Sequence, residues 1–172
     1  MRAFVTGGTG FIGRRLVRQL LARGDRVLAL ARTPQGAAEL TACGATPVLG
    51  DLSDTCALCA GMKDCDTVFH LAGWYKLGAR DQRAAEPTNI TGTRTVLTLA
   101  AELGIRRIVY TSTVAIYGDT HGKLVDETFV RQDLKFHSIL SSISRCPLRM
   151  HLSQVVHHPY DISTNLVYSP IP

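Results

Sequence analysis

Three glycines spaced three residues apart form the first candidate site. They lie in the segment Thr6-Gly7-Gly8-Thr9-Gly10-Phe11-Ile12-Gly13, between an apolar run and a helical pattern. Such glycines permit a tight turn, close approach of the backbone to a ligand, and close packing of a helix on a strand. Amide groups at the start of the helix then meet the negative charge of a pyrophosphate. The pattern predicts a dinucleotide diphosphate site formed by Gly7, Gly10, Phe11, Ile12 and Gly13.

A basic residue stands where dinucleotide-binding folds usually carry an acid for the adenosine ribose. The second apolar run ends in Arg32-Thr33. A guanidinium at this point can bind a 2′-phosphate through a charge-assisted hydrogen bond worth about 1.5 to 3 kcal/mol. Arg32 therefore favours NADP as the cofactor. The alternative is an exposed arginine at a strand end, with NAD as the cofactor.

The elements that must position these residues follow a strict alternation. Short β-rich apolar runs are separated by segments with helical spacing, each typically ending at a glycine. The predicted strands are 2–6, 26–31, 46–49, 67–71 and 107–112, and the predicted helices are 11–23, 34–43, 53–62 and 84–103. Apolar strands alternating with helices predict an α/β fold with a doubly wound parallel sheet, the Rossmann fold.

Composition excludes several classes of protein. Of the 172 residues, 45% are hydrophobic and 19% charged, which is typical of a globular domain. The net charge of +5 comes with a group of arginines at positions 14–26, but a solvated helix face explains most of them. No nucleic-acid motif accompanies them, and no apolar stretch is long enough to cross a membrane.

The five cysteines are odd in number and follow no secretory signal, so we expect a reducing, cytoplasmic compartment. Cys56-x-x-Cys59 has no second pair to complete a zinc site. Ordinary buried thiols are the favoured interpretation, and no metal is expected.

Four further motifs occur in a fixed order: Asp51-Leu52, Phe69-His70-Leu71-Ala72-Gly73, Asn89-Ile90-Thr91-Gly92-Thr93, and Tyr110-Thr111-Ser112-Thr113-Val114-Ala115-Ile116-Tyr117-Gly118. With the glycine turn, they make residues 1 to about 129 resemble the extended short-chain dehydrogenase/reductases of the NAD-dependent epimerase/dehydratase type. The resemblance implies that Asp51 and Leu52 contact the adenine, and that Leu71, Ala72 and Gly73 line the cofactor. The resemblance is also compatible with assembly as a homodimer.

In that family a Ser or Thr polarises the substrate oxygen, and a tyrosine activated by a lysine transfers the proton. The resemblance assigns the first role to Thr113, with Ser112 as second choice. Asn89 would help to position its helix or a water, and a purely structural amide is the alternative. The substrate would be a nucleotide sugar or a related carbonyl compound.

The chain departs from the family at the proton-transfer pair. No Tyr-x-x-x-Lys occurs in the sequence. Beyond Phe129 the composition changes, since no Ala follows Ala115 and no Gly follows Gly122. We therefore expect a binding domain at 1–129 and an aberrant or disordered tail at 130–172.

Two functional interpretations remain. The first is a truncated or frameshifted oxidoreductase or epimerase with impaired catalysis, and the second is a non-catalytic module that senses NADP(H). A third outcome, a remnant that folds poorly, would bind neither cofactor.

Overall fold

The computed structural model describes residues 1–74, 86–112, 122, 124, 148–152 and 164–170, with Ser112 and the last two ranges described as backbone only. Strands and helices alternate in the order β1 (Arg2–Thr6), α1 (Phe11–Ala22), β2 (Arg26–Ala31), α2 (Pro34–Ala42), β3 (Thr46–Leu49), α3 (Thr55–Met62), β4 (Thr67–His70), α4 (Thr93–Glu102), β5 (Arg107–Ser112), β6 (Leu148–Leu152) and β7 (Thr164–Pro170). A π-helical turn, Pro87–Gly92, leads directly into α4.

The first five strands form a parallel sheet in the order β3-β2-β1-β4-β5. Chain order therefore runs outward from β1 to β3 on one side and from β4 to β5 on the other. The reversal falls between β1 and β4, whose last residues Thr6 and His70 are register partners. Doubly wound sheets bind ligands beyond the carboxyl ends of the strands at such a switch point. The predicted Rossmann fold is confirmed.

Each face of the sheet is covered by its own apolar cluster. Phe4, Val68 and Ile108 point to one face and pack with side chains of α3 and α4, among them Leu58 and Leu97. Val5 and Ala29 point to the other face and pack with Val17 and Leu20 of α1 and Leu40 of α2. Alternate residues of β1 thus enter different clusters, because successive strand side chains project to opposite faces.

Local signals explain most element boundaries. The Thr33 hydroxyl accepts from the Gly36 amide at 3.1 Å and begins α2, while Gly24, Gly44 and Gly104 follow helices with positive φ. The prediction that α3 begins at residue 53 is wrong by two positions. Asp54 caps this helix by accepting from the Ala57 amide at 2.9 Å.

Two features of the backbone are not predicted by the sequence pattern. A single helix is expected over 84–103, but its described part opens with the π-helical turn, which carries Asn89. The strands β6 and β7 extend the sheet beyond β5 in antiparallel orientation, within a segment where no element is expected. None of the helices in the described ranges is long and apolar enough to cross a bilayer.

A chain of buried polar side chains crosses the middle of the sheet. The Thr6 hydroxyl lies 2.6 Å from Nδ1 of His70, and Nε2 of His70 lies 2.9 Å from the Thr93 hydroxyl. The His70 ring stacks on Tyr110, with ring centroids 5.4 Å apart. Thr6 and His70 are fully buried, and burial lowers the pKa of His70 from 6.5 to about 4.

This pKa predicts a dependence of stability on pH. Because the folded-state pKa of His70 lies below its unfolded value, the unfolded chain binds the proton first. The stabilising contribution is complete above pH 6.5 and is lost as the pH falls toward 4. Between about pH 7 and about pH 4.5 this group should cost about 2 to 3 kcal/mol of the free energy of unfolding.

Urea unfolding at the two pH values measures the loss, with His70→Gln as the matched protein that lacks the titrating ring. Asp25, Asp51 and Asp66 have lowered pKa values, so their contributions are lost only below their ordinary value of 3.8. An equal pH dependence in the two proteins would contradict the assignment to His70.

Candidate functional site

The glycine turn packs backbone against backbone. Gly7 has φ of +73°, and a Cβ atom there would lie 2.7 Å from the Ala72 nitrogen and 2.8 Å from the Leu71 carbonyl carbon. The Gly10 amide donates to the Gly7 carbonyl at 3.0 Å and closes the turn. A side chain at position 7 would therefore push the turn away from the segment that follows β4.

The other two motif glycines face different surroundings. A Cβ atom on Gly13 would overlap the carbonyl oxygen of Gly7, so this position holds α1 against the turn. Within the described part of the chain, a Cβ atom on Gly10 would meet just one nearby atom, the same oxygen, at 3.2 Å. Gly10 is exposed, and the space in front of it is open to a ligand.

The amino end of α1 presents backbone donors to that space. The Arg14 amide donates to the Gly10 carbonyl at 2.9 Å and is the first intrahelical hydrogen bond. The amides of Phe11, Ile12 and Gly13 precede it and have no acceptor within the helix. Gly10 supplies no side-chain cap, and the first turn holds no acidic residue. The arrangement suits an anion.

The side chains of the first turn of α1 are mostly exposed. Phe11 is 79% exposed, and the Arg15 guanidinium lies over its ring at 4.9 Å from the centroid. Arg14 turns back to donate to the Thr9 carbonyl at 2.8 Å and to Glu39 of α2 at 2.6 Å. Arg14 therefore braces the turn from its outer side.

Arg32 and Asp51 lie beyond the carboxyl ends of β2 and β3. The Asp51 carboxylate accepts from the hydroxyl and the amide of Ser53, at 2.6 and 2.7 Å. These bonds are the main reason that the pKa of Asp51 is lowered, and the positive charge of Arg32 contributes. Both side chains are exposed, so a cation and a carboxylate stand near each other at this edge of the sheet.

Leu52 has a packing role that the sequence does not reveal. A Cβ atom on Gly92 would lie 2.8 Å from both Cβ and Cδ1 of Leu52. Because Gly92 has no side chain, the end of the π-helical turn can pack directly on Leu52. Leu52 is half-buried and packs against the cluster beneath α3 and α4.

Asn89 holds the segment that follows β4. Its Oδ1 accepts from the Trp74 amide at 2.6 Å, and its Nδ2 donates to the Trp74 carbonyl at 2.8 Å. Both ends of the side-chain amide are thus bonded to the backbone of one residue. Residues 71–74 are also held at Ala72, whose amide donates to the Thr6 hydroxyl at 3.2 Å.

One candidate catalytic residue, Ser112, lies at the end of β5. Ser112 is the last residue of that strand and pairs with Thr164 of β7. Thr113 lies outside the described residues, as does Tyr117. The structure thus brings the glycine turn, residues 71–74 and Asn89 together, and it places Arg32 and Asp51 at the neighbouring strand ends.

The sequence pattern does not predict the buried chain of Thr6, His70, Thr93 and Tyr110. Its sequence signal is weak, because a hydroxyl ending one strand and a histidine ending another become partners only once the strands are adjacent. Among the described residues, no three His, Cys, Asp or Glu side chains are grouped to hold a metal ion. Cys43, Cys56, Cys59 and Cys65 are free thiols. The expectation that Cys56 and Cys59 are buried is wrong, because Cys56 is exposed and Cys59 is half-buried on α3.

Comparison with known proteins places the chain in a family. Residues 3–138 match the model of the NAD dependent epimerase/dehydratase family. The chain is 43% identical over 129 residues to 4-hydroxy-2-methyl-3-oxo-4-farnesyl-3,4-dihydroquinoline-1-oxide ketoreductase of Stigmatella aurantiaca, covering 74% of this chain and 38% of that protein. It is 38% identical over 117 residues to 2-alkyl-3-oxoalkanoate reductase of Stenotrophomonas maltophilia, covering 67% of this chain and 34% of that protein.

A solved structure shows the same fold. The complex of UDP-glucose 4-epimerase from Thermus thermophilus with NAD superimposes with a TM-score of 0.70 at 29% identity, covering 84% of this chain and 51% of that one. This chain therefore spans about a third to a half of the length of these three proteins. With five parallel strands in the Rossmann order, a glycine turn at the switch point and a family match over most of its length, the chain belongs to the NAD-dependent epimerase/dehydratase family of the extended short-chain dehydrogenase/reductase superfamily.

Proposed function

We propose that residues 1–129 are the nicotinamide-dinucleotide-binding domain of an epimerase/dehydratase-like oxidoreductase, with NADP preferred. The observation that carries the proposal is the open face of Gly10, which lies beside three helix-start amides that have no acceptor within α1. A diphosphate fits there, since its oxygens can accept from these amides and its charge is favoured by the helix dipole. In this assignment Gly7, Gly10, Phe11, Ile12 and Gly13 hold the diphosphate.

The adenosine end would lie beyond β2 and β3. Hydrogen bonds from Ser53 lower the pKa of Asp51 below its ordinary value, so its carboxylate is an acceptor at neutral pH and can accept from the adenine amino group. Leu52 flanks Asp51. Arg32 is exposed at the end of β2, where its guanidinium can bind a 2′-phosphate. This basic residue is the reason for preferring NADP over NAD.

The nicotinamide end would lie along Leu71, Ala72 and Gly73, toward the end of β5. When bound, the nicotinamide supplies or accepts hydride. Thr113, or its neighbour Ser112, would polarise the substrate oxygen with its hydroxyl. Asn89 acts as a positioning residue, because its amide is bonded to the backbone of Trp74 on both sides.

The substrate class is a carbonyl compound or the corresponding alcohol, with a nucleotide sugar as the alternative. The ketoreductase and the oxoalkanoate reductase are 43% and 38% identical to this chain over the matched residues, whereas the epimerase is 29% identical. Reductase chemistry is also consistent with an NADP preference.

The second candidate function is a module that binds NADP(H) without turnover. It is favoured by one observation, the lack of Tyr-x-x-x-Lys in these 172 residues. Translating the encoding DNA past codon 129 in its other two frames separates the candidates. A Tyr-x-x-x-Lys in another frame supports a frameshifted oxidoreductase, and its absence from both favours the binding module.

Gly10→Val tests the diphosphate site. The branched side chain fills the open space without meeting the core, so the fold should persist while the diphosphate is excluded. We expect NADPH affinity to fall by about 100-fold or more, equivalent to losing two charge-assisted hydrogen bonds of about 1.5 kcal/mol each. Fluorescence titration with NADPH measures the affinity.

Ala22→Val is the matched control, because it adds a branched side chain at the exposed far end of α1. It should bind NADPH like the wild type. Unchanged affinity in Gly10→Val, at an unchanged unfolding midpoint, would overturn the assigned site.

Arg32→Ala tests the cofactor preference. Loss of the guanidinium should weaken NADPH by about ten- to a hundredfold and leave NADH unchanged, since only the former carries a 2′-phosphate. Arg26→Ala is the control, since it removes one exposed arginine from the opposite end of the same strand. Equal losses for both cofactors, or an equal effect of Arg26→Ala on NADPH, would refute the proposed role.

A further inference from the structure

The buried Thr6, His70 and Thr93 side chains connect three parts of the molecule that surround the switch point. Thr6 ends β1 immediately before the glycine turn, His70 ends β4, and Thr93 begins α4. Thr6 and His70 are fully buried and Thr93 is 2% exposed. Burying three polar side chains in an apolar sheet is costly unless every one of them is hydrogen-bonded.

The neutral imidazole satisfies both neighbours at once. One ring nitrogen donates and the other accepts, so the ring bridges the two hydroxyls at 2.6 and 2.9 Å. The His70 ring also stacks on Tyr110, which is its register partner on β5. The chain thus extends from the end of β1 to the strand that carries Ser112.

The Thr6 end holds the backbone next to the glycine turn. Thr6 accepts the Leu71 amide on its carbonyl and the Ala72 amide on its hydroxyl, both at 3.2 Å. The same Ala72 nitrogen would be 2.7 Å from a Cβ atom on Gly7. The orientation of the Thr6 hydroxyl therefore controls how residues 71–72 meet the turn.

The Thr93 end supports a second contact that holds residues 71–74, the pair of hydrogen bonds between Asn89 and Trp74, called here the Asn89 clamp. Thr93 follows the π-helical turn that carries Asn89, and Asn89 bonds to both backbone groups of Trp74. Residues 71–74 are consequently held at Ala72 by Thr6 and at Trp74 by Asn89. His70 hydrogen-bonds to Thr6 on one side and to the start of α4 on the other, and so links these two contacts.

We infer that His70 is a positioning residue of the dinucleotide site, fixing residues 71–74 against the glycine turn by bridging Thr6 and Thr93. The inference rests on the proposed function, because its consequence is a change in cofactor affinity. A leucine would fill the same space at lower cost of burial but would leave both hydroxyls without this partner. The bridge predicts effects that a space-filling role does not.

Two variants with amide side chains at position 70 test the two hydrogen bonds of the bridge separately. His70→Asn places its amide near the position of Nδ1 and retains a partner for Thr6, whereas His70→Gln places its amide near Nε2 and retains a partner for Thr93. Because Thr6 holds the Ala72 amide, His70→Gln should weaken NADPH by about tenfold and His70→Asn by a clearly smaller factor. Fluorescence titration under conditions where urea curves show every variant folded gives these affinities.

Val68→Ala is the control for loss of packing. Val68 is fully buried, two residues before His70 on the same face of β4, and takes no part in the bridge. It should lower the unfolding midpoint without changing the NADPH affinity of the folded protein. If Val68→Ala weakens NADPH as much as His70→Gln does, His70 acts through stability alone and the inference is overturned.

Thr6 variants and amide exchange provide measurements that do not depend on the histidine variants folding. Thr6→Val keeps the shape but removes the hydroxyl, so the Ala72 amide should exchange with solvent at least about tenfold faster in the cofactor-free protein. Thr6→Ser restores the hydroxyl and should restore slow exchange. Equal exchange in the two variants overturns the inference.

The outcomes separate this inference from the proposed function. Wild-type protein that binds neither NADPH nor NADH overturns both. If the wild-type protein binds NADPH, and His70→Gln and Thr6→Val bind it with the same affinity as the wild type, the positioning role is overturned. The proposed function then still stands.

Discussion

The structure depends on a close approach of three backbone segments, which are the glycine turn, the start of α1 and residues 71–72. No side chain lies between them. The Gly7 carbonyl lies where a side chain on Gly13 would be, and the Gly7 α-carbon faces the backbone of Leu71 and Ala72. Backbone contacts this close bring strand, turn and helix into one arrangement, and any Cβ atom would separate them. The open face at Gly10 lies directly beside these contacts, since the atom nearest to a Cβ there would be the Gly7 carbonyl oxygen.

The same region carries an unusual concentration of buried polar groups. An apolar sheet centre gains stability from clusters such as Phe4, Leu58 and Leu97, whereas Thr6 and His70 gain little unless they are paired. Pairing them across β1, β4 and α4 makes each hydroxyl orientation depend on another element. We therefore infer that the polar chain serves mainly to fix the relative positions of β1, β4 and α4, next to the glycine turn.

The sequence predicts the sheet well because apolar strand runs alternate with helical segments, and a glycine with positive φ follows α1, α2 and α4. Boundaries such as residue 54 depend on which oxygen caps the helix, which apolar spacing does not indicate. The π-helical turn is not predicted, because an extra residue in one helical turn leaves no periodic signal within six residues. The His70 bridge and the Asn89 clamp join residues 64 and 15 positions apart. Such partners become neighbours only through the order of the strands in the sheet. The family resemblance therefore indicates Asn89 as a site residue, but it does not identify the Trp74 backbone as its partner.

The residues proposed to bind the dinucleotide can be compared with the positions of the core residues. Both apolar clusters are built from residues between Ala3 and Ile108, as far as the structure describes them. The strands β6 and β7 join the sheet through β5, at its far edge from β3. The glycine turn, the polar chain and the Asn89 clamp all lie between Thr6 and Tyr110, on elements that pack against these clusters. The residues that we propose for the dinucleotide therefore lie in the part of the chain that supplies the described core, whereas Thr113, proposed for the chemistry, lies outside the described residues.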